Sequence, residues 1–379
     1  MPAVNRARLL VADDQPDVLE ALRLLLAQHD FSLHLVTSPV TVLERLREDD
    51  WDLLLMDLNY SRDTTSGDEG LRLLKAVREL DASLPVVVMT GWGNIELAVE
   101  AMRAGARSFV QKPWDNADLV QILRREVDRG RGLREQSAQH EREERDALLI
   151  QRALLPAQLP ANEYFEVAGN WQPAAGFGGD CYDAMLFSPT TLTLAIADVA
   201  GKGLPAALIM SSLQAAVRAF AVESAHPATI CASVNRLLCG QMIAGRFATM
   251  CVMRLDRGRQ VMTFANAGHN PPLLVRASAE VERLSTGGTV LGVFPETDYT
   301  GAEVSLSAGD CLLLYTDGIT EARNASDEEY GEERLTEALI RYRHLDAASL
   351  HRAMMTEVSA FCSGCGFQDD ATLIVVAIR

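Results

Sequence analysis

Long apolar runs, a secretory leader and a framework of paired cysteines are all missing from this 379-residue sequence. No stretch contains the roughly 18 consecutive apolar residues that a membrane-spanning helix needs. The opening residues, MPAVNRARLLVADD, lack the apolar core and the small-residue cleavage site of a signal peptide. We therefore expect a cytoplasmic protein with no membrane partner.

Cysteine is sparse and scattered, with seven residues in the chain. An odd number without a repeating spacing predicts free thiols and not a disulfide framework. Cys362 and Cys365 form a lone CxxC motif that no second CxxC or nearby pair of histidines accompanies. Free thiols are therefore favoured over structural zinc.

The sequence has fewer basic than acidic residues: 35 Lys and Arg against 52 Asp and Glu, which gives a formal net charge of −17. Negative charge repels a phosphate backbone, so nucleic acid is not an expected partner. Acidic residues commonly only keep a surface solvated, but clustered aspartates can also hold hard cations. The positions of the aspartates are therefore the most informative feature.

Residues 1–125 predict a doubly wound α/β domain in a chain long enough for two or three domains. Short apolar segments alternate with segments whose apolar residues recur at helical spacing. The predicted strands are LLVADD, FSLHLV, WDLLLMD, PVVVMT and RSFVQK, and the predicted helices are DVLEALRLLLAQ, VLERLRED, GLRLLKAVREL and NIELAVEAMRAG. This alternation is typical of a five-stranded parallel sheet with helices on both faces and ligands at the carboxyl ends of the strands.

Polar residues occupy those strand ends: Asp13 and Asp14 follow the first strand, Asp57 ends the third, Thr90 ends the fourth and Lys112 follows the fifth. Three carboxylates at one edge would hold Mg²⁺, and a lysine would offset the remaining charge. A buried aspartate at the end of an apolar strand needs a functional reason, which makes Asp57 the expected nucleophile toward a phosphoryl donor. The competing interpretation is that Asp13 and Asp14 only cap the next helix.

Residues 8–125 resemble a response-regulator receiver domain through these side chains. The resemblance implies that Asp57 accepts phosphate from a sensor histidine kinase and binds Mg²⁺ together with Asp13 and Asp14. The other residues that it implies are Thr90 and Lys112, which contact the phosphate, and the switch aromatic Phe109. The loop LNYSRDTTSGDEG after Asp57 is several residues longer than the common receiver loop.

Residues 126–155 are rich in both signs of charge and predict a helical linker. Leu133, His140, Ala147 and Leu154 recur every seven residues, but good apolar seam residues occur only toward the end of the segment. A coiled coil that joins two chains in a homodimer and a solvated single helix are both compatible with this pattern.

Residues 156–379 change to groups of strands separated by long helical segments. The predicted strands include TLTLAIADV, FATMCVMRLD, QVMTFANAG, PLLVRA, DCLLLYTDG and ATLIVVAIR, and the predicted helices are LPAALIMSSLQAAVRAFAVES and ERLTEALIRYRHLDAASLHRAMMTEVSAF. This grouping is typical of an α+β domain whose sheets are covered by helices.

Four aspartates in this region each stand beside glycine or at a strand end: Asp180 in FGGDCYD, Asp198 in AIADVAGKG, Asp317 in LLLYTDG and Asp369 in QDDATLIVV. Oxygen ligands of this kind suit Mg²⁺ or Mn²⁺, and two such ions could activate a water and clamp a phosphoryl group. A single Asp-Gly pair commonly makes only a turn, but four such motifs together favour a metal site.

These motifs, together with QRALLP, FATM and AGHNPPLLV, resemble the SpoIIE-type branch of the metal-dependent PPM protein phosphatases. The resemblance implies a β-sandwich flanked by helices that holds two Mn²⁺ or Mg²⁺ ions. The implied ligands are Asp198, which bridges both ions, Asp317 and Asp369 on one ion, and the Val199 carbonyl and Asp180 on the other. Asp370 stays open as an alternative to Asp369.

The resemblance also implies hydrolysis of a protein phosphoserine or phosphothreonine without a covalent enzyme intermediate. Cys181 is therefore not an expected nucleophile. His269 is expected to be a turn or core residue in preference to a general acid, and no arginine that grips phosphate can be named.

Together the two resemblances predict a response regulator with a receiver domain (1–125), a linker (126–155) and a phosphatase domain (156–379). The implied substrate is a phosphorylated STAS-domain anti-sigma-factor antagonist, and phosphorylation of Asp57 would control its dephosphorylation. The alternative is a non-catalytic PPM-like adaptor that binds a regulatory partner under receiver control, against which the complete aspartate set argues. A DNA-binding output is disfavoured because no basic helix-turn-helix follows the receiver.

Overall fold

The computed structural model describes residues 6–60, 67–91, 95–174, 176–242, 245–364 and 366–379. The chain forms two compact units, Met1–Glu144 and Arg145–Arg379, each with its own apolar core. Part of the long loop after Asp57 and Cys365 of the CxxC motif lie outside the described residues, so the expectations for them stay predictions. The described cysteines are free thiols.

The first unit is built on a parallel sheet. Its strands are β1 (Ala7–Ala12), β2 (Phe31–Val36), β3 (Leu53–Asp57), β4 (Val86–Thr90) and β5 (Ser108–Gln111). Its helices are α1 (Pro16–Leu26), α2 (Pro39–Glu48), α3 (Asp68–Leu80), α4 (Ile95–Arg103) and α5 (Asn116–Leu154). The strand order is β2-β1-β3-β4-β5, and β3 and β4 are buried throughout, as central strands covered on both faces should be. The predicted doubly wound fold is confirmed.

Helix α5 continues from the first unit through the charged segment. Near its start Leu119, Leu123 and Val127 recur at helical spacing and pack into the core of the first unit. Arg131 then pairs with Asp52 through two parallel hydrogen bonds of 2.9 and 2.8 Å. Residues 135–146 of this helix are all exposed to solvent.

The second unit contains two sheets. Its strands are β6 (Phe165–Gln172), β7 (Cys181–Ser188), β8 (Thr191–Val199), β9 (Ala248–Asp256), β10 (Val261–Ala267), β11 (Leu273–Val275), β12 (Val281–Arg283), β13 (Gly287–Gly288), β14 (Ala302–Ser305), β15 (Cys311–Tyr315) and β16 (Ala371–Ile378). Its helices after α5 are α6 (Leu204–Glu223), α7 (Pro227–Cys239), α8 (Asp317–Thr320), α9 (Gly331–Tyr342) and α10 (Ala347–Phe361). We call the two sheets of this unit the first sheet and the second sheet. The first sheet has the order β13-β10-β9-β8-β7, with β14 also paired to β10, and the second sheet has the order β12-β11-β15-β16-β6.

Side chains that point to alternate faces of the strands build three apolar layers: one between the two sheets and one between each sheet and the helices that cover it. Leu192, Leu194 and Ile196 of β8 face the other sheet, whereas Ala195, Ala197 and Val199 face α6 and α7. Successive side chains of a strand point to opposite faces, so one strand can serve both layers. Helices α9 and α10 cover the outer face of the second sheet. The predicted β-sandwich flanked by helices is confirmed.

The first predicted helical segment of this region forms α6, and the second is divided. The segment after residue 332 forms two helices, α9 and α10, because Asp346 begins a new helix and accepts a hydrogen bond from the Ser349 backbone at 2.8 Å. Helix α7, which begins at Pro227, was not predicted, and neither were β6 and β7.

Helix α6 is long and apolar enough to cross a membrane by length and composition alone. Half of its apolar window is buried inside the second unit. The buried residues include Met210, Leu213 and Val217, which pack against the first sheet at helical spacing. This composition is what the core helix of a folded domain requires.

Candidate functional site

The first candidate site lies at the carboxyl ends of β1 and β3. Asp13 directly follows β1, and Asp57 is the last residue of β3. The two strands are paired and parallel, so their ends meet at one edge of the sheet. One carboxylate oxygen from each of Asp13, Asp14 and Asp57 lies within 4.8 Å of the others. This spacing suits one hard cation with oxygen ligands.

Lys112 joins this acidic cluster from the end of β5. Its Nζ donates to Asp13 Oδ2 at 2.6 Å and to Asp57 Oδ2 at 2.7 Å. The other oxygen of Asp57 accepts from the Leu58 backbone at 2.8 Å, which fixes the orientation of the carboxylate. Burial raises the pKa of Asp57 despite the lysine. Burial alone would lower the pKa of Lys112, but its two carboxylate partners outweigh burial and raise it.

Thr90 and Phe109 come from the neighbouring strands. Thr90 is the last residue of β4, which pairs with β3, and its side chain is buried at the same sheet edge as Asp57. Phe109 lies in β5 and leaves 47% of its surface exposed. The structure therefore places Thr90 beside the acidic cluster and Phe109 at the surface.

The second candidate site gathers aspartates from four separate segments. Asp180 precedes β7, Asp198 lies at the end of β8, Asp317 begins α8 and Asp369 lies two residues before β16. Burial, followed by the negative charges of Asp317 and Asp369, raises the pKa of Asp198 to about 7. These carboxylates are therefore close enough to repel one another, and Lys202 offsets part of their charge through its ion pair with Asp369. Among the described residues, only Asp13, Asp14 and Asp57 bring three ligand oxygens within 4.8 Å of one another, so the aspartates of this second site are more widely spaced. Hard divalent cations suit such a set of oxygen donors.

Strand register explains why these segments meet. In the first sheet Cys181 pairs with Ala197, which places Asp180 opposite Asp198. In the second sheet Tyr315 pairs with Leu373, which brings the start of α8 to the start of β16. The cluster therefore forms where the end of the first sheet that carries Asp180 and Asp198 lies beside the end of the second sheet that carries Asp317 and Asp369.

Two threonines that the motifs did not single out hold Asp180. The hydroxyls of Thr316 and Thr372 donate to Asp180 Oδ2 at 2.7 and 2.6 Å. Both threonines belong to segments of the second sheet, so these bonds join the two sheets beneath the cluster. Burial, followed by the charge of Asp198, raises the pKa of Asp180. The position of Thr316 next to Asp317 was the only sequence signal for this contact.

Asp369 and Asp370 have different environments. Asp370 Oδ2 accepts from the Gly179 backbone at 2.6 Å, and its Oδ1 accepts from the Ala174 backbone at 3.0 Å. Asp369 instead leaves 45% of its side chain exposed and forms an ion pair of 3.0 Å with Lys202. The Oδ1 of Asp369 also accepts from the Asp370 backbone at 2.8 Å. Asp370 therefore fastens the loop before β7, while Asp369 is held by its neighbouring backbone N–H and by the exposed Lys202.

Glycine is required at two positions around this cluster. A Cβ on Gly179 would lie 2.5 Å from the Val199 carbonyl oxygen. A Cβ on Gly318 would lie 2.0 Å from the Asp370 carbonyl oxygen. The backbone segments that carry the aspartates can approach this closely only because both positions lack a side chain.

His269 is buried away from solvent, in agreement with the prediction of a turn or core residue. Its Nδ1 lies 2.8 Å from Thr249 Oγ1, and its backbone N–H donates to Asn266 Oδ1 at 2.7 Å. Burial lowers the pKa of His269 to about 4, so the ring is neutral near pH 7. A neutral, fully enclosed ring is a poor proton donor to a bound substrate.

Gln151, near the end of α5, contacts the loop that carries Asp180. Its Nε2 donates to the Gly178 carbonyl at 2.6 Å, and its Oε1 accepts from the Gly178 N–H at 3.3 Å. The Gln151 side chain is 3% exposed, so both hydrogen bonds are shielded from water. The motif QRALLP contained this residue, but the sequence offered no sign of its partner.

A parallel sheet with an acidic pocket, followed by a helix-flanked β-sandwich with a carboxylate cluster, defines a receiver domain joined to a PPM-type phosphatase fold. The model of the response regulator receiver domain matches residues 9–124, and that of stage II sporulation protein E (SpoIIE) matches residues 188–379. The second match spans about half of the chain, and the chain belongs to the SpoIIE family.

Known proteins resemble the second unit at moderate identity. The phosphoserine phosphatase RsbU of Bacillus subtilis is 31% identical over 175 residues, which cover 46% of this chain and 52% of RsbU. Protein IcfG of Synechocystis is 29% identical over 217 residues, which cover 50% of this chain and 34% of IcfG. The chain thus spans about half of one relative and a third of the other. The SiaA-PP2C domain of Pseudomonas aeruginosa shares the fold, with a TM-score of 0.57, 24% identity and coverage of 64% of this chain and 98% of that domain.

Proposed function

We propose that the chain is a response regulator whose output is metal-dependent hydrolysis of phosphoserine or phosphothreonine in a protein. The observation that carries the proposal is that strand pairing brings the segments of Asp180, Asp198, Asp317 and Asp369 to one edge of the sandwich, where the charges of Asp317 and Asp369 act on Asp198. The printed name of RsbU, a phosphoserine phosphatase, supports the same reaction class. A set of oxygen donors without histidine or thiolate suits Mn²⁺ or Mg²⁺ and not zinc.

We assign the phosphatase ligands as follows. Asp198 would bridge two ions, Asp317 and Asp369 would complete one of them, and the Val199 carbonyl and Asp180 would serve the other. Asp369 is preferred to Asp370 because backbone N–H groups hold both oxygens of Asp370 but only Oδ1 of Asp369, whose Oδ2 pairs with the exposed Lys202. Asp180 would act through a water or a single oxygen, because two threonine hydroxyls occupy its Oδ2.

Bound ions of this kind supply Lewis-acid activation of a water and a clamp for phosphoryl oxygens. The residues of the chain hold the ligands in place. Thr316 and Thr372 orient Asp180, and Gln151 and Asp370 fix the loop on either side of it. The proton of the departing alcohol is not supplied by His269, which is enclosed and neutral.

The receiver would control this output through Asp57. In the proposal Asp57 accepts phosphate from a sensor histidine kinase with Mg²⁺ on Asp13, Asp14 and Asp57. A phosphoryl group on Asp57 would redirect Lys112, which bonds both Asp13 and Asp57 in the unmodified protein. Thr90 would turn to the phosphate, and the exposed Phe109 would change rotamer. The signal would then pass along α5, whose far end carries Gln151.

The remaining assignments follow from the same resemblance. The substrate would be a phosphorylated STAS-domain anti-sigma-factor antagonist in a cytoplasmic partner-switching pathway. Residues 1–125 would form the receiver, 126–155 the linker and 156–379 the phosphatase domain. The exposed middle of α5 leaves room for the proposed pairing of two chains through the linker.

The experiment that tests the output measures Mn²⁺-dependent hydrolysis of p-nitrophenyl phosphate and of a phosphoserine protein by the full chain. Asp198→Asn should abolish both activities because it removes the bridging ligand, whereas Asp298→Asn, an exposed aspartate outside the cluster, should not. Equal rates of the wild type and Asp198→Asn, independent of metal, would contradict the enzyme proposal and favour the adaptor.

A separate experiment tests the receiver. Acetyl phosphate should label the wild type in the presence of Mg²⁺, and Asp57→Ala should remove the label. A label that persists in Asp57→Ala would place the phosphoacceptor elsewhere.

A further inference from the structure

The turn that follows Asp198 has an arginine beside it that no motif singled out. Arg246 lies just before β9, and its Nη1 donates to the Ala200 carbonyl at 3.3 Å. The backbone of the next residue, Phe247, accepts from the Ala200 N–H at 2.9 Å, so the arginine is held against this turn. Its guanidinium packs over Gly201, where a Cβ would lie 2.6 Å from Nη1. The positive charge of Arg246 therefore lies against Ala200 and Gly201, which directly follow the proposed ligands Asp198 and Val199.

The guanidinium keeps most of its donors available. Among the described residues, no carboxylate forms an ion pair with Arg246, and its guanidinium donates only to the Ala200 carbonyl. Lys202, the other cation on this turn, is instead paired with Asp369 at 3.0 Å. Guanidinium presents five donors in a planar fork and stays charged at every relevant pH, which suits phosphate oxygens.

A groove of about 310 Å³ lies beside Arg246 and is lined by apolar side chains. Met242, Phe247 and Val293 form its walls. Phe247 and Val293 leave 38% and 42% of their surfaces exposed. Arg246 lines this groove and also bonds the turn after Asp198, so one guanidinium adjoins both.

The wall that carries Val293 is fixed by a buried asparagine. Asn235 of α7 is fully enclosed, and its Oδ1 accepts from the Gly292 N–H at 2.8 Å while its Nδ2 donates to the Phe294 carbonyl at 2.8 Å. These two bonds hold the backbone on both sides of Val293. An apolar side chain presented outward by a fixed loop is suited to binding, since little conformational entropy is lost there.

We propose that Arg246 contacts the phosphate of the substrate and that the groove of Met242, Phe247 and Val293 receives an apolar side chain next to the phosphorylated residue. The occupant is therefore a phosphoserine segment of a protein partner with apolar flanking residues. Charge complementarity between phosphate and guanidinium supports this occupant, as does the position of Arg246 between the groove and the turn after Asp198. The inference rests on the proposed function, and it supplies the phosphate-binding arginine that the sequence did not reveal.

The test uses the full chain with Mn²⁺ and two labelled peptides that carry a non-hydrolysable phosphonate analogue of phosphoserine. One peptide has leucine on both sides of the analogue, and the other has serine. Fluorescence anisotropy measures binding without turnover, and inhibition of p-nitrophenyl phosphate hydrolysis measures the Ki of inorganic phosphate. Arg254→Met, at the other end of β9, is the matched control and should leave every value unchanged.

Arg246→Met should weaken both peptides about tenfold or more and raise the Ki of inorganic phosphate by a similar factor. Arg246→Lys should recover part of this loss, because it keeps the charge without the planar fork. Val293→Ser and Val293→Asp should weaken only the leucine-flanked peptide and leave the Ki of phosphate unchanged.

Binding by Arg246→Met within twofold of the wild type would overturn the phosphate contact. Equal effects of the Val293 variants on both peptides, or no binding by the wild type, would overturn the groove assignment. A wild type that binds the peptides but lacks Mn²⁺-dependent hydrolysis would remove the proposed function and leave the recognition of phosphoserine in place.

Discussion

Replacing Gln151 by methionine should weaken the hold of α5 on the loop that carries Asp180. Methionine has nearly the same length as glutamine but cannot form the hydrogen bonds of 2.6 and 3.3 Å to the Gly178 backbone. Each net hydrogen bond is worth about 1 kcal/mol, so the loss amounts to about 2 kcal/mol. The Gly178 groups that stay buried without partners add to this cost.

The loss should be measurable in two ways. For a domain of this size, about 2 kcal/mol corresponds to a decrease of the melting temperature by about 4–8 °C. If the same energy holds Asp180 at the cluster, the apparent affinity for Mn²⁺ should fall by up to about thirtyfold. Calorimetry and a Mn²⁺ titration of p-nitrophenyl phosphate hydrolysis by the full chain measure the two effects.

The matched control for this prediction is Gln139→Met on the same helix. Gln139 is exposed and bonds only Glu143 at 2.6 Å, so its replacement should change neither melting temperature nor metal dependence. A Gln151→Met chain with the melting temperature and Mn²⁺ dependence of the wild type would refute the reasoning. A lower melting temperature with unchanged Mn²⁺ dependence would show that the contact stabilises the fold without positioning the ligand.

Three further predictions concern the cluster itself. Asp370→Asn should destabilise the second unit by about 2 kcal/mol, because an amide cannot accept both backbone N–H groups of Gly179 and Ala174. Asp369→Asn should instead weaken Mn²⁺ binding with little change in stability. Melting temperatures and Mn²⁺ titrations of the two variants check this, and reversed effects would exchange their roles. Thr372→Val should cost about 1–2 kcal/mol by chemical denaturation, since Asp180 loses one of its two hydroxyl donors, and an unchanged midpoint would contradict that role. Chelation by EDTA should abolish hydrolysis, and added Mn²⁺ should raise the melting transition of the second unit in the wild type but not in Asp198→Asn, whereas the receiver site on Asp13, Asp14 and Asp57 should respond in both.

Local patterns in the sequence were sufficient for most of the fold. The helices of the receiver follow from apolar residues at a period of 3.6 and its strands from short apolar runs, and both patterns depend only on neighbours along the chain. The central strands LLLMD and VVVMT needed no tertiary information to be identified. The break between α9 and α10 was missed because the residues on both sides of Asp346 continue a helical pattern, and the cap becomes visible only in its hydrogen bond to Ser349.

The contacts that the sequence could not predict join residues far apart along the chain. Thr372 and Asp180 are separated by 192 positions, and Gly179 and Asp370 by 191. No local pattern encodes such a pair, because it depends on how the two sheets stack. Arg246 was invisible for the same reason, since only the pairing of β8 with β9 brings it beside the turn after Asp198.

The two domain classes and the candidate aspartates of both sites could be predicted from the sequence, because turn residues at the ends of apolar strands are local features with a strong chemical requirement. What each neighbour of a motif contacts depends on the packed fold. The fold directs both oxygens of Asp370 to the backbone and pairs Asp369 with Lys202, it encloses His269, and it brings Gln151 to Gly178 and Arg246 to Ala200. Adjacent polar groups compete for burial and hydrogen-bond partners, and this competition is settled only when the two sheets pack together.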